Sequence, residues 1–196
     1  MPTTPAAALA RRELIVGGQK SGKSRRAEQL AAAWLAQDAR HGAVLLATAQ
    51  AHDGEMRTRI ERHRADRAAR LPALRTVEEP LALGEAVAAH AAPHTLLVVD
   101  CLTLWLTNWL MPVDGRVPSE ADYADAQGRL LAALQAAPGP VVLVSNEIGL
   151  GVIPLGGEVR AFVDALGLLN QRVAAVCERV TLVAAGLPLS LKGGLE

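Results

Sequence analysis

The sequence predicts an α/β fold with a mostly parallel central sheet, and three observations support this prediction. Short apolar runs recur along the chain, and they are continuous instead of alternating, as in strands that are buried on both faces of a sheet. Helix-like stretches separate these runs, as in successive strand–helix–strand units. The first apolar run breaks into a glycine-rich loop that leads directly into the first helix-like stretch.

The predicted elements follow one another along nearly the whole chain. Strands are predicted at residues 14–16, 43–47, 95–99, 141–144 and 180–184. Helices are predicted at residues 24–36, 53–69, 80–91, 121–136 and 160–178. Turn-forming residues predict surface loops at 112–118 and 149–157. Because no repeat or linker divides the sequence, we expect a flexible N-terminal tail at residues 1–12 and a single domain at residues 13–196.

The composition limits the classes of partner and compartment. Lys+Arg and Asp+Glu both number 20, so the net charge is zero and gives no electrostatic support for binding nucleic acid. No apolar stretch approaches the roughly 18–20 residues of a membrane span. The N-terminus also lacks the order of a signal peptide. Cys101 and Cys177 are isolated in the sequence and lack the spacing of a metal site. They are more consistent with buried thiols in a reducing compartment than with a disulfide. We therefore expect a cytoplasmic protein.

The glycine-rich loop contains the pattern Gly17-x4-Gly22-Lys23-Ser24. A strand before it and a helix after it are the context of a P-loop. Backbone N–H groups of such a loop cradle phosphate oxygens, and the helix N-terminus adds partial positive charge. We expect Lys23 to reach the β- and γ-phosphates of a nucleotide and Ser24 to ligate Mg²⁺. The sequence thus predicts a P-loop NTPase-type three-layer fold.

Further candidates follow the other predicted strands, because ligands of open α/β sheets bind beyond the carboxyl ends of the strands. Asp100 closes the run at 95–99, where a P-loop protein needs an acid that organises Mg²⁺. The alternative is that Asp100 caps the helix-like segment after it. Asn146 and Glu147 follow the run at 141–144 and could contact substrate, accept a proton or cap the backbone of the next loop.

A strongly basic helix follows the run at 43–47. Arg59, His63, Arg67 and Arg70 fall on one face at helical spacing. Arginines beside a histidine favour its neutral, nucleophilic form, and they can hold a triphosphate while the imidazole attacks it. From this segment alone, an ordinary solvated helix face is the favoured alternative.

Taken together and in this order, the motifs resemble the bifunctional adenosylcobinamide kinase / adenosylcobinamide-phosphate guanylyltransferase family of cobalamin biosynthesis. The matching segments are residues 17–25, 47–50, 53–56, 59–64, 99–103, 108, 144–154 and 170–174. The P-loop is shared with many families, whereas the basic helix and the loop after residue 144 are far more specific. The resemblance covers about residues 13–193.

The resemblance implies two activities. One phosphorylates the aminopropanol hydroxyl of adenosylcobinamide with ATP or GTP. The other moves GMP from GTP onto that phosphate through a histidine–GMP intermediate at His63, giving adenosylcobinamide-GDP and pyrophosphate. The implied nucleotide-binding residues are Gly17, Gly18, Gln19, Lys20, Ser21, Gly22, Lys23, Ser24, Ala47, Thr48, Ala49, Arg64, Ala65, Asp66, Arg67, Glu78 and Asp100. Lys23 and His63 are the expected catalytic residues, and Ser24 and Asp100 the expected Mg²⁺ ligands.

The resemblance also implies a homotrimer. Five apolar residues are candidates either for its interface or for the core of the chain: Leu104, Trp105, Leu106, Trp109 and Leu110.

Two rival functions stay open. A small-molecule P-loop kinase without nucleotidyl transfer would need the P-loop and Asp100 but not His63. A nucleotide-dependent switch would need a sensor for the γ-phosphate and a surface for its partner, and the sequence shows no separate interaction domain.

Overall fold

The computed structural model describes residues 9–51, 54–112, 115 and 118–194, apart from the side chains at positions 55, 56, 59, 60 and 63. The strands are β1 (Arg12–Val16), β2 (Gly42–Ala47), β3 (Leu74–Glu78), β4 (Thr95–Asp100), β5 (Val141–Val144), β6 (Arg179–Ala184) and β7 (Leu187–Lys192). The helices are α1 (Lys23–Gln37), α2 (Gly54–Arg70), α3 (Leu83–His90), α4 (Leu102–Leu110), α5 (Glu120–Ala136) and α6 (Gly157–Val176).

The strands form one seven-stranded sheet in the order β3-β2-β4-β5-β1-β6-β7. Every neighbouring pair from β3 to β6 is parallel, and only β7 runs antiparallel to β6. The prediction of a mostly parallel α/β sheet is therefore confirmed. Because the strands run the same way, the segments that follow β1, β2, β4 and β5 meet at one edge of the sheet.

Two hydrophobic cores make the molecule three-layered. Alternate residues of the central strands point to opposite faces, so that Leu14 and Val16 of β1 join one core while Ile15 joins the other. On the first face the sheet packs against α3, α4, α5 and α6, and on the second against α1. This arrangement explains why the central strands are continuous apolar runs in the sequence.

Five strands and five helices lie close to their predicted positions, and three elements had no predicted bounds. The strands β3 and β7 form the two edges of the sheet. Most of their residues are exposed, so neither strand has the continuous apolar sequence of a buried strand. The third element, α4, has only nine residues; the segment after Asp100 was treated as helix-like in the alternative role of that acid, but no bounds were predicted for it. The predicted helix start at residue 53 and parts of the loop at 112–118 lie outside the described residues.

The boundary of the predicted N-terminal tail needs correction. β1 begins at Arg12, which is 7% exposed, so this residue belongs to the sheet and not to the tail. Its guanidinium forms an ion pair with Glu178 and donates to the backbone oxygens of Leu134 and Gln135. Residues 1–8 of the predicted tail lie outside the description.

Several buried residues bear on the other predictions. Trp105 and Leu106 are fully buried in the core of the chain itself, so the core alternative is correct for both. Cys101 and Cys177 are buried free thiols, as expected. Within the described part of the chain, no helix is both long and apolar enough to cross a membrane.

Candidate nucleotide-binding and catalytic site

The loop between β1 and α1 has the backbone geometry of an anion cradle. Gly17 and Gly22 have φ angles of 153° and 109°, which residues other than glycine rarely adopt. A side chain at Gly17 would also collide with the backbone oxygen of Val183 on β6. α1 begins at Lys23, and no side chain caps its N-terminus. The first backbone N–H groups of this helix therefore have no side-chain acceptor. Free helix N–H groups above a glycine loop are suited to binding phosphate.

The turn between β6 and β7 supports this loop from behind. The backbone N–H of Gly186 donates to the oxygen of Ser21 at 2.8 Å. On the other side, the N–H of Glu147 donates to the oxygen of Gly17 at 3.0 Å. The loop is therefore fixed by two distant parts of the chain before any ligand is bound.

Lys23 lies inside the cradle. Its Nζ donates to the oxygens of Gly17 at 3.0 Å and Gly18 at 2.7 Å, and the residue is only 7% exposed. Burial lowers the pKa of Lys23 below its ordinary value, while nearby Cys101 and Asp100 act in the opposite direction. The ammonium group is thus held at the loop by neutral carbonyls, and its charge is available to an incoming anion.

Ser24 and Asp100 face the same small space. Together with Glu28 and Arg67 they line a cavity of about 10 Å³, which leaves room for about one water molecule. A hydroxyl and a carboxylate are hard oxygen donors of the kind that Mg²⁺ prefers. Among the described residues, no group of three or more His, Cys, Asp or Glu side chains could hold a metal ion.

Asp100 does not cap the helix that follows it. The N-cap residue of α4 is Cys101, and the cap makes no side-chain hydrogen bond. Instead, Oδ2 of Asp100 lies 3.4 Å from Nη1 of Arg67, whose side chain is 9% exposed. The carboxylate therefore links the end of β4 to α2 and faces the P-loop.

Thr48 and Asn108 fix the backbone beside Asp100. The hydroxyl of Thr48 accepts from the N–H of Cys101 at 2.9 Å and donates to the oxygen of the same residue at 2.8 Å. Nδ2 of Asn108 donates to the oxygens of Thr48 at 2.7 Å and Pro80 at 2.9 Å. Both side chains are almost completely buried. They position the ends of β2 and β4, a role that the sequence did not reveal.

Arginines of α2 reach acids on three other elements. Arg64 forms an ion pair with Glu78 at the end of β3, Arg67 with Asp100, and Arg70 with Glu28 on α1. These contacts hold α2 across the carboxyl edge of the sheet. The predicted nucleotide contacts Ala65 and Asp66 are exposed on this helix.

The candidate nucleophile lies on the same helix. The side chains of His63 and Arg59 are outside the described residues, but the backbone at position 63 is helical and stands about one turn before Arg67.

The segment after β5 is anchored at both of its candidate residues. The N–H of Asn146 donates to Oγ1 of Thr103 at 2.9 Å, and its oxygen accepts from Nδ2 of Asn170 at 3.0 Å. Oε1 of Glu147 accepts from the N–H of Gly149 at 2.9 Å. Of the roles left open by the sequence, the structure shows backbone capping for Glu147.

A P-loop at the carboxyl edge of a mostly parallel sheet, with a buried lysine and a facing aspartate, defines the class of P-loop nucleotide-binding proteins. Residues 13–191 match the model of the family described as cobinamide kinase / cobinamide phosphate guanyltransferase. The chain belongs to this family of enzymes.

Individual relatives agree with this assignment. The chain is 50% identical over 182 residues to the bifunctional adenosylcobalamin biosynthesis protein CobP of Pseudomonas aeruginosa, covering 93% of this chain and 98% of that protein. It is 38% identical over 188 residues to the bifunctional adenosylcobalamin biosynthesis protein CobU of Escherichia coli, covering 91% and 98%. Among solved structures, the flagellar accessory protein FlaH of Methanocaldococcus jannaschii has a TM-score of 0.54 at 12% identity, covering 95% of this chain and 80% of that one. This last likeness concerns the fold alone.

Proposed function

We propose that this chain phosphorylates adenosylcobinamide with ATP or GTP and then transfers GMP from GTP to the product through a His63–GMP intermediate. The observation that carries the proposal is the contact between Arg67 and Asp100 at 3.4 Å. It holds α2, the helix of His63, against the strand end that faces the P-loop. One phosphate cradle can therefore serve both reactions, and the match to the family over residues 13–191 supports the same assignment.

In the kinase reaction the acceptor hydroxyl attacks the γ-phosphorus, and the nucleoside diphosphate leaves. Positioning and charge stabilisation account for most of the catalysis of such a transfer. Lys23 and the N-terminus of α1 stabilise the charge on the phosphate oxygens. Ser24 and Asp100 would hold Mg²⁺, which when bound offsets the charge of the triphosphate.

In the guanylyl transfer a neutral ring nitrogen of His63 attacks the α-phosphorus of GTP. A nitrogen–phosphorus bond forms, the bond to the bridging oxygen breaks, and pyrophosphate leaves. A phosphate oxygen of the acceptor then attacks the same phosphorus and releases the imidazole. We expect Arg67, which is buried beside Asp100, to hold phosphate oxygens while His63 reacts.

The test is the His63→Ala variant, assayed with α-labelled GTP. We expect it to lose protein labelling and formation of adenosylcobinamide-GDP while keeping appreciable kinase activity, because transfer to a hydroxyl needs no covalent nucleophile. The acid-labile, base-stable label of a phosphoramidate identifies the intermediate in the parent protein. The matched control is His90→Ala, since His90 is a described histidine outside the site, with its Nδ1 3.5 Å from Nη2 of Arg75.

Each rival function predicts a different result. A kinase without nucleotidyl transfer consumes ATP but never takes up label from α-labelled GTP. A nucleotide switch binds GTP and produces neither product. Normal formation of adenosylcobinamide-GDP by His63→Ala would exclude the covalent mechanism. Loss of both activities in a folded variant would assign His63 to positioning the triphosphate.

The remaining proposals concern the whole protein. We propose one catalytic domain, a cytoplasmic location, no nucleic-acid partner and a homotrimer. Because Trp105 and Leu106 are core residues, a trimer interface has to use other apolar side chains. Sedimentation should show a species of about three times the chain mass of 20.6 kDa, and a 20.6 kDa species at working concentration would contradict the trimer.

A further inference from the structure

The segment after β5 exposes an unusual series of aliphatic side chains, and we name residues 148–155 the apolar loop. Leu150, Val152, Ile153 and Leu155 are 80%, 96%, 77% and 98% exposed. A contiguous apolar surface of this kind commonly marks a site of interaction on a soluble protein. The roles assigned above to the P-loop, α2 and Asp100 make no use of these side chains.

The apolar loop forms one wall of a groove, and α6 forms the other. The groove has a volume of about 650 Å³. Val152 and Ile153 of the loop and Leu168 of α6 contribute apolar surface, while Asp164 and Gln171 of α6 contribute polar groups. Ligand sites have this size and composition, being mostly apolar with a few polar groups that fix orientation.

Hydrogen bonds at both ends hold the apolar loop in place. At its far end, Nη1 of Arg160 donates to the oxygens of Pro154 at 2.9 Å and Leu155 at 2.5 Å. Just before its near end, the N–H of Glu147 donates to the oxygen of Gly17 at 3.0 Å. The groove therefore begins beside the phosphate cradle, and its wall is fixed relative to that cradle.

We propose that this groove binds the corrin ring of the acceptor, an inference that rests on the proposed function. The corrin of adenosylcobinamide is a large macrocycle with a rim of amide side chains, and its adenosyl ligand covers one face and leaves the other for apolar contact. The apolar loop and Leu168 match that open face, while Asp164 and Gln171 offer partners to the amides. The aminopropanol arm is flexible, so a ring held here can present its hydroxyl, and later its phosphate, to the P-loop. One groove would then serve both reactions, because both use the same corrinoid.

The experiment compares Val152→Asp with Leu191→Asp. Leu191 is a similarly apolar residue, 57% exposed on the edge strand β7, and lies outside the groove. Equilibrium dialysis with cobinamide itself measures ring binding without any reaction, and nucleotide binding reports that each variant is folded. We expect Val152→Asp to weaken cobinamide binding at least tenfold and to raise the KM for adenosylcobinamide similarly. The Leu191→Asp protein should bind cobinamide like the parent.

Three results would overturn the proposal: no binding of cobinamide by the parent protein, equal binding by parent and Val152→Asp, or conversion of an oligomer to monomers by Val152→Asp. The last would show that the apolar loop contacts a second copy of the chain. Failure of the proposed function is distinguishable, because the parent would then bind cobinamide normally but form neither product nor labelled protein.

Discussion

Two buried charged groups flank the same segment of chain, and their partners differ. Glu13 of β1 is completely buried and accepts from Oγ1 of Thr181 at 2.8 Å, with Arg26 at 3.2 Å and Arg179 at 3.7 Å. Lys23 is nearly as buried, but its hydrogen bonds are to neutral backbone carbonyls. The charge of Glu13 is matched by cations that contact it, whereas Lys23 donates its hydrogen bonds to neutral carbonyls and nearby Asp100 acts on it electrostatically.

This difference separates a charge that stabilises the fold from one that binds a ligand. A buried ion with fixed counter-ions is already compensated and has little to gain from a further partner. A buried ammonium held by carbonyl dipoles still has a strong attraction for an anion. The following predictions test that distinction, beginning with the largest expected effect.

Glu13→Ala should lower the free energy of unfolding by about 3–5 kcal/mol, because it leaves Arg26 and Arg179 beside an uncompensated site. Urea unfolding measures the loss. Glu13→Gln, which keeps the shape, should lose less stability. Asp38→Ala, which removes the surface ion pair with the exposed Arg40, should change stability little. Parent-like stability of Glu13→Ala would mean that this cluster does not stabilise the fold.

Lys23→Ala should reduce both activities about a hundredfold, on the order of 3 kcal/mol, because it removes a preorganised charge at the phosphates. Its stability should remain close to that of the parent, in contrast to Glu13→Ala. Product formation and urea unfolding, measured on the same preparation, check both statements. Lys192→Ala removes an exposed lysine from β7 and serves as the control. Parent-like turnover by a folded Lys23→Ala protein would exclude the assignment of Lys23.

Asp100→Asn should raise the Mg²⁺ concentration for half-maximal activity by roughly tenfold. Asp100 and Ser24 line the same cavity, and an asparagine at position 100 lacks the negative charge that attracts a divalent ion. Activity measured across a Mg²⁺ titration tests this. An unchanged midpoint would mean that Asp100 does not organise Mg²⁺.

Lys23 should also leave a small signature in the pH dependence of stability. Burial lowers its pKa below 10.5 in the folded protein, so the unfolded chain binds more protons in the alkaline range below 10.5. Stability due to this residue therefore rises with pH through that window, and Lys23→Met should remove the rise. Burial raises the pKa of Cys177 to about 12, which makes stability fall with pH in the alkaline range. This contribution is the same in the parent and in Lys23→Met, so it cancels in their difference. A parent-minus-variant difference that stays flat with pH would contradict the prediction.

The sequence predicted what depends on local pattern. The central strands were identified because they are buried on both faces, and the P-loop because its residues are contiguous in the chain. The edge strands β3 and β7 were missed because solvent covers much of their surface. The partners of Glu13 come from α1 and β6, and such pairing between distant segments leaves no local signal.

The site was predictable to a similar degree. The cavity shared by Ser24 and Asp100 agrees with the expected pair of ligands, although the ligand role itself stays a prediction. The network of Thr48, Cys101 and Asn108 could not be foreseen, because it joins three elements through single side chains. The anchoring of the apolar loop by Arg160 depends equally on the folded geometry.

The bond from Gly186 to Ser21 has a consequence for how the protein is made on the ribosome. The phosphate loop is translated early, but the turn that supports it is translated long afterwards. A nascent chain that has produced only β1 and α1 lacks both Val183 and Gly186 behind the loop. Contacts so distant in sequence form late in folding. We therefore expect the phosphate loop to gain its full support, and nucleotide binding its full strength, only when synthesis has passed β6.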